Sequence, residues 1–167
     1  MDLASGPAGQ ARAACQAFGQ ACPAQIWRRL SMAPGDYLQM AQAYCEAAEA
    51  LALARQAHEA PLYMLSAHAI ELALKSVLLS QGDDVEALMA FGHSLDACRQ
   101  RAVRHGFGAA AAPSIAAGVQ AVAMAHHAQA FRYPQALDWE PPPVEDLVTI
   151  ARRVVLAAQN YLAERAA

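Results

Sequence analysis

The chain has 167 residues, of which 56% are hydrophobic and 16% are charged. This length and composition suit one domain with an ordinary core and exclude a globally disordered chain. The formal net charge is −3 and the pI is about 6.0, so no overall positive field indicates nucleic-acid binding, and only a local arginine patch would provide it.

The first 33 residues differ from the rest, because they are rich in Ala, Gly and Gln and carry Pro23 in their middle. We expect short helices around residues 11–19 and 24–30, within an N-terminal arm that packs on the rest of the chain or is partly mobile. Residues 34–167 are predicted to form the helical bundle itself.

The first long helix is predicted after Pro34, with Asp36 as its N-cap. Apolar residues then recur at helical spacing as far as His58. Because a proline disfavours helical geometry in the residue before it, Pro61 should end this helix near Ala60.

The second helix is predicted from Pro61 to Ser80, with Gly82 just past its end. It is apolar almost all round, which is typical of a helix in the middle of a bundle.

Three more helices follow in the second half of the chain. Glycine and proline separate them, and no segment shows the alternation typical of a strand. The fold class is therefore predicted as all-α, an up-and-down bundle of about five helices. The remaining elements are a connector over 83–91 with one helical turn, a third helix over 92–106, a fourth over 113–131, and a fifth from 144 after three prolines.

A polar stripe on the second helix is the most informative feature. With His68 as zero, Glu71 lies at about −60° and Lys75 at about −20° around the helix. Lys75 is also the single lysine of the chain. The stripe is either a solvent-facing or ion-paired sector, or the wall of a pocket in which Lys75 attracts an anion and His68 exchanges protons near neutral pH.

Three further residues are candidates for the same pocket. His93 stands at the predicted start of the third helix, where free N–H groups favour an anion, although it also suits a plain helix-start position. Arg132 and Tyr133 end the fourth helix. They either staple the following loop or form a pocket lip that meets a phosphate or a base.

Catalytic candidates are weaker. Arg99 and His105 have an Arg-x5-His spacing but point to different sides of a straight helix, so a solvated basic face is the simpler interpretation and an RNA or phosphate patch the alternative. His126 and His127 are adjacent, and neither has a second ligand four residues away on its own helix. We therefore predict no metal site and no cofactor.

The four cysteines form no CxxC pair and have no zinc-type spacing, so we expect reduced thiols. We find neither an apolar run of the ~18 residues that cross a membrane nor a signal-peptide pattern, and the predicted location is cytoplasmic.

The order of four short motifs resembles the HEPN-domain family. The central helix of that family is similar to residues 66–75 (SAHAIELALK) followed by 78–82 (LLSQG). The start of its next helix is similar to 92–95 (GHSL), and the end of its fourth helix to 132–134 (RYP). The resemblance extends over about residues 36–162.

This resemblance implies a helical bundle that is usually dimeric. Many such domains are RNA-cleaving toxins or defence nucleases, and others bind nucleotides or RNA without cutting them. The nuclease branch carries an Arg-x4-6-His motif near its last core helices. Here that spacing occurs only on the third helix, through Arg99 and His105, and no arginine lies four to six residues before His126 or His127.

The leading hypothesis is a non-catalytic module that binds nucleotide or RNA. The alternatives are a metal-independent ribonuclease with Arg99, His105 or His127 as catalytic groups, and a homodimeric interaction protein. The candidate ligand-binding residues of the leading hypothesis are His68, Glu71, Lys75, His93, Arg132 and Tyr133.

Overall fold

The computed structural model describes residues 33–54, 58–136 and 138–166. The predicted N-terminal arm, apart from Ala33, lies outside these residues. The described part is all-α, as predicted, and contains no strand. Its elements are α1 (Pro34–Ala52), α2 (Glu59–Ser80), α3 (Val85–Phe91), α4 (Leu95–Arg104), a 3-10 turn (Gly108–Ala111), α5 (Pro113–His127) and α6 (Val144–Ala166).

Six helices replace the predicted five, because the connector before α4 is itself a helix. α3 has seven residues instead of one turn, and the carboxylate of Asp84 caps its start by accepting from the N–H of Ala87. Its one fully buried side chain, Leu88, packs into the core. A good N-cap and a single apolar anchor thus suffice for this short helix.

The boundary between α1 and α2 differs from the prediction. α1 ends at Ala52 and α2 begins at Glu59, so the helix predicted to reach Ala60 is too long. The two helices pack against each other, and the chain must leave helical geometry to reverse between them. Pro61 does not stop a helix but lies in the first turn of α2, where the N–H that it lacks would have no helical partner.

The start of α1 is also three residues earlier than predicted, since the N-cap is Ala33. Asp36 is not the N-cap but the third helical residue, and its carboxylate accepts from the N–H of Ala33 at 2.7 Å. Pro34 occupies the first helical position, for which its fixed φ is suited.

α2 is the centre of the bundle, as its apolar composition predicted. It packs against α1, α4, α5 and α6, and 13 of its 22 residues are buried. By length and composition alone α2 is also apolar enough to cross a membrane, with a mean hydropathy of 1.4, although 78% of that window is buried inside the fold. One such helix is weak evidence for a membrane, since core helices pass the same test.

α4 ends at the predicted glycine. Gly106 has a φ of 102°, and the N–H of Phe107 donates to the carbonyl of Ala102 five residues earlier. Phe107 is 2% exposed and packs edge-on against Tyr161 of α6. This is the hydrophobic contact expected of a glycine-terminated helix, and it fixes the position of α6 against α4.

α5 stops at His127, four residues before the predicted end, because the segment after it packs through aromatic rings. Phe131 stacks on Tyr63 of α2 and Trp139 packs edge-on against the same ring, each with ring centroids 5.6 Å apart. The indole N–H of Trp139 donates to the carbonyl of Ala121, and the Tyr63 hydroxyl donates to that of Pro142. The proline-containing linker is thereby tied to both α2 and α5 before α6 begins at Val144.

An ion pair joins the loop after α2 to α4. The guanidinium of Arg101 donates to both carboxylate oxygens of Asp83, at 2.7 and 3.2 Å. These hydrogen bonds hold the pKa of Asp83 below its ordinary value, in spite of its partial desolvation. Arg101 is therefore engaged in the fold and is not a free member of a basic face.

The pH dependence of folding should report this pair. Because the pKa of Asp83 is depressed in the folded state, its contribution to stability is present above its ordinary value of 3.8 and is lost as the pH falls further. We expect the difference in unfolding free energy between wild type and Asp83→Asn to be largest near neutral pH and to shrink below pH ~4. Urea titrations at several pH values measure it, with the exposed Asp138→Asn as control. A difference that is constant across pH would contradict the assignment.

Gly118 permits the close approach of α5 and α6. A Cβ at this position would lie 2.1 Å from Cδ1 of Ile150 and 3.1 Å from its Cγ1. Since even a methyl group overlaps with a packed side chain here, the helices could not keep their separation with a larger residue.

We therefore expect Gly118→Ala to lower the unfolding free energy by about 1 kcal/mol, since overpacking outweighs the helix propensity gained. Ile150→Val removes the overlapping Cδ1, so the double variant should lose at least about 0.5 kcal/mol less than the sum of the single losses. Urea denaturation of the four proteins completes the cycle. Additive losses would mean that the two positions do not meet.

Candidate functional site

The polar stripe of α2 lies inside the bundle and centres on the carboxylate of Glu71, which is 2% exposed. Its Oε1 accepts from Nζ of Lys75 at 2.6 Å. Its Oε2 lies 2.6 Å from Nε2 of His126, 3.1 Å from Nδ1 of His93 and 3.7 Å from Nδ1 of His68. We refer to these five residues as the Glu71 network.

Four members of the network were predicted together and one was not. His68, Glu71 and Lys75 come from α2, and His93 comes from the three-residue connection between α3 and α4. The predicted site does not include His126 of α5, because no second metal-ligating residue lies one turn away from it on its own helix. Its position on the apolar side of α5, one turn after the buried Val122, was the available signal that it faces the core.

Lys75 is hydrogen-bonded within the fold. Its ammonium group donates to Glu71 and also to the carbonyl of Gly92, at 2.8 Å. The side chain is 12% exposed. The geometry therefore favours the interpretation of Lys75 as an ion-paired structural residue. Lys75 holds the backbone next to His93 in place.

The charges of the network are unequal. Burial would by itself raise the pKa of Glu71, but the hydrogen bonds from His126 and Lys75, together with the positive charge of Lys75, outweigh it and hold the pKa far below its ordinary value. Burial lowers the pKa of His126, and the neighbouring carboxylate offsets this only in part. At neutral pH the network therefore contains an ionised Glu71 and a neutral His126, whose Nε2–H donates to the carboxylate.

His68 is held in place without a hydrogen bond at its Nδ1. The ring packs edge-on against Tyr44 of α1, with centroids 4.6 Å apart. The Nδ1 atom is buried, and none of the described residues forms a hydrogen bond with it, since Oε2 of Glu71 is 3.7 Å away. A buried polar atom without a partner is rare and calls for an explanation.

The network reaches solvent mainly through His93, whose side chain is 33% exposed, against 16% for His68 and 5% for His126. His93 packs edge-on against His126, and the ring of Phe131 lies 6.3 Å from that of His126. Arg132 and Tyr133 follow Phe131 directly and are exposed. Arg132 and Tyr133 therefore follow His126 closely in the sequence. The structure shows no contact between these two residues and the Glu71 network.

The three catalytic candidates, Arg99, His105 and His127, have separate surroundings in the described residues. Arg99 donates to the carboxylate of Asp96 and to the carbonyl of Ala110. His105 is the exposed residue that follows α4, and His127 is exposed at the end of α5. Within the described part of the chain no hydrogen bond or ion pair connects Arg99 with either histidine.

The two described cysteines are both buried. Burial raises the pKa of Cys45 to about 11 and that of Cys98 to about 12, which leaves neither as a thiolate near neutral pH. Both are free thiols, as expected.

Surface clefts lie elsewhere. One cleft runs between α1 and α6, past Glu49 and Arg152, and another lies beside Tyr161. A third lies beside Gly118, between α5 and α6. No member of the Glu71 network lines these three clefts.

Removing the charge of Glu71 should be costly. Glu71→Gln leaves the ammonium of Lys75 buried without its counter-ion, and we expect the free energy of unfolding to fall by about 3–5 kcal/mol. Glu49→Gln is the matched control, because Glu49 pairs with Arg152 at 3.6 Å on the surface and should cost less than about 1 kcal/mol. Urea denaturation at pH 7 measures both. Equal losses would mean that the network does not stabilise the fold.

No family model, curated protein or solved structure matches this chain. Membership of the HEPN family accordingly stays a prediction from the sequence motifs.

Proposed function

We propose that this chain is a HEPN-like helical module that binds the phosphate of a nucleotide or an RNA and does not cleave it. The observation that carries the proposal is the state of His93. One of its ring nitrogens is bound to a buried carboxylate, while a third of its side chain is exposed. A histidine oriented in this way can present its other nitrogen to a ligand with little loss of conformational freedom.

The surroundings of His93 favour an anion. Ser94 is the N-cap of α4, and its Oγ accepts from the N–H of Ala97. The first turn of a helix carries free N–H groups and a partial positive charge, which favour phosphate. Asp96 stands in the same turn, but its charge is paired with Arg99.

Arg132 and Tyr133 complete the proposed binding surface. Both are exposed on the segment after α5, next to the ring of Phe131 that packs near His126. An arginine offers paired donors to phosphate, and a tyrosine ring offers a face on which a base stacks. In this proposal Glu71, Lys75 and His68 orient His93 and do not touch the ligand.

The absence of cleavage is proposed because the pieces of a nuclease site do not come together. Arg99 is held by Asp96 and by a backbone carbonyl, whereas His105 and His127 belong to different helices. A metal-independent ribonuclease needs a cation and a general acid or base on the same phosphate. The family resemblance also implies a homodimer. Light scattering on the same samples measures the oligomeric state.

The proposal is tested with fluorescence anisotropy, using short labelled RNAs and nucleotides. We expect saturable binding that weakens as the salt concentration rises. His93→Ala should lower the affinity by about 10-fold or more, because it removes about one hydrogen bond to a charged group. Arg132→Ala should also weaken binding, and the exposed His105→Ala should leave it unchanged.

Two results would refute the proposal. One is binding that His93→Ala and His105→Ala affect equally, which would place the ligand elsewhere. The other is cleavage of the same RNAs by the wild-type protein, seen on a denaturing gel and abolished in His105→Ala or His127→Ala.

A further inference from the structure

Three imidazole nitrogens converge on one oxygen in the Glu71 network. They belong to His68, His93 and His126, which come from α2, the α3–α4 connection and α5. Only two of the three nitrogens lie within hydrogen-bond distance of the oxygen, and Nδ1 of His68 is left buried without a partner. Hydrogen bonding alone therefore does not account for this arrangement.

We propose that His68, Glu71 and His126 bind a divalent first-row transition-metal ion such as Zn²⁺, with His93 as the fourth ligand. The ligand atoms would be Nδ1 of His68, Oε2 of Glu71, Nε2 of His126 and Nδ1 of His93. This site goes beyond the proposed binding of phosphate and does not depend on it.

The distances suit such an ion. Ligand atoms at about 2.0–2.2 Å from a tetrahedral zinc are separated from each other by about 3.3 Å. Oε2 of Glu71 lies 2.6, 3.1 and 3.7 Å from the three nitrogens, which brackets that value. The ligand atoms of His68, Glu71 and His126 all lie within 4.8 Å of one another. Side-chain rotations that bring these separations closer to one value would admit the ion and would give Nδ1 of His68 its missing partner.

The donor set indicates the class of metal. Imidazole nitrogens with one carboxylate oxygen suit zinc, nickel, cobalt or iron, whereas magnesium and calcium prefer sites made of oxygen. Binding needs no redox change. In the neutral imidazole of His126, the hydrogen on Nε2 moves to Nδ1 and so frees the Nε2 lone pair for the ion.

The residues around the ligands would support the ion. Lys75 holds Oε1 of Glu71 and leaves Oε2 to the metal, and Tyr44 fixes the ring plane of His68. Such outer contacts commonly orient metal ligands. The ammonium of Lys75 also withdraws charge from the carboxylate, so we expect weaker binding than in a site whose carboxylate is unpaired.

This inference replaces the expectation that no metal binds. That expectation considered only ligands one turn apart on a single helix, and His126 has none there. The neighbours of His126 in the network instead come from α2 and from the α3–α4 connection. Glu71 lies 55 positions before His126 in the chain, and His93 lies 33 positions before it.

The test uses the full chain, freed of metal with a chelator and titrated with ZnCl₂ by calorimetry. We expect one zinc ion per chain and a raised melting temperature. The absorption of the Co²⁺ complex should indicate tetrahedral coordination by nitrogen and oxygen. His68→Phe keeps the ring packing but removes both nitrogens, so it should weaken zinc binding by at least 10-fold. His105→Ala and His127→Ala, which alter exposed histidines, should bind as wild type does.

The outcomes are separable from those of the RNA experiment, because zinc is the only ligand added. The melting temperature without metal shows that His68→Phe is folded, and His93→Ala provides a second comparison at the edge of the site. Absence of saturable zinc binding would overturn the inference. So would equal zinc affinity of wild type and His68→Phe, since binding would then occur at surface histidines.

Discussion

The carboxylate of Glu71 is the group on which the rest of the bundle depends. It is an ionised side chain in the middle of the most apolar helix, and taking it out of water costs several kcal/mol unless other groups compensate. Lys75 and the histidines supply that compensation, with contacts as short as 2.6 Å. Every element that contributes one of these groups is fixed relative to α2.

The consequence is a set of connections that hydrophobic packing alone would not specify. His126 brings α5 to α2 at one rotation only, since a different rotation would take the shortest hydrogen bond away from Oε2 of Glu71. Lys75 reaches across to the carbonyl of Gly92 and thereby fixes the turn between α3 and α4. Apolar side chains tolerate small rotations and exchanges, whereas a buried charge requires its partners at defined positions.

The two proposals use different sides of this cluster. The phosphate-binding proposal relies on the outward nitrogen of His93 and on the exposed residues after α5. The metal proposal relies on the inward nitrogens, one of which, Nδ1 of His68, has no described partner. The two are compatible, because a histidine bound through Nδ1 still carries an N–H at Nε2 that can face a phosphate. Either proposal can fail without the other.

Sequence reasoning recovered the helical segments well, because their signals are local. The spacing of apolar residues identified α2 as the central helix, and Gly82 and Gly106 marked the ends of α2 and α4 correctly, each with a positive φ. The errors fell at helix boundaries and at α3. There, capping by Asp84 and the reversal between α1 and α2 decide the ends, and both depend on what the neighbouring helices do.

For the candidate site, the sequence by itself determined that His68, Glu71 and Lys75 share one face, since 3.6 residues per turn fixes their relation on any α-helix. Only the tertiary structure decided that this face is buried, that Lys75 is paired with Glu71 and with the carbonyl of Gly92, and that His126 joins the cluster from 55 residues away. Contacts between helices depend on how their surfaces pack, and a periodic pattern along one helix contains no information about the side chains that will face it.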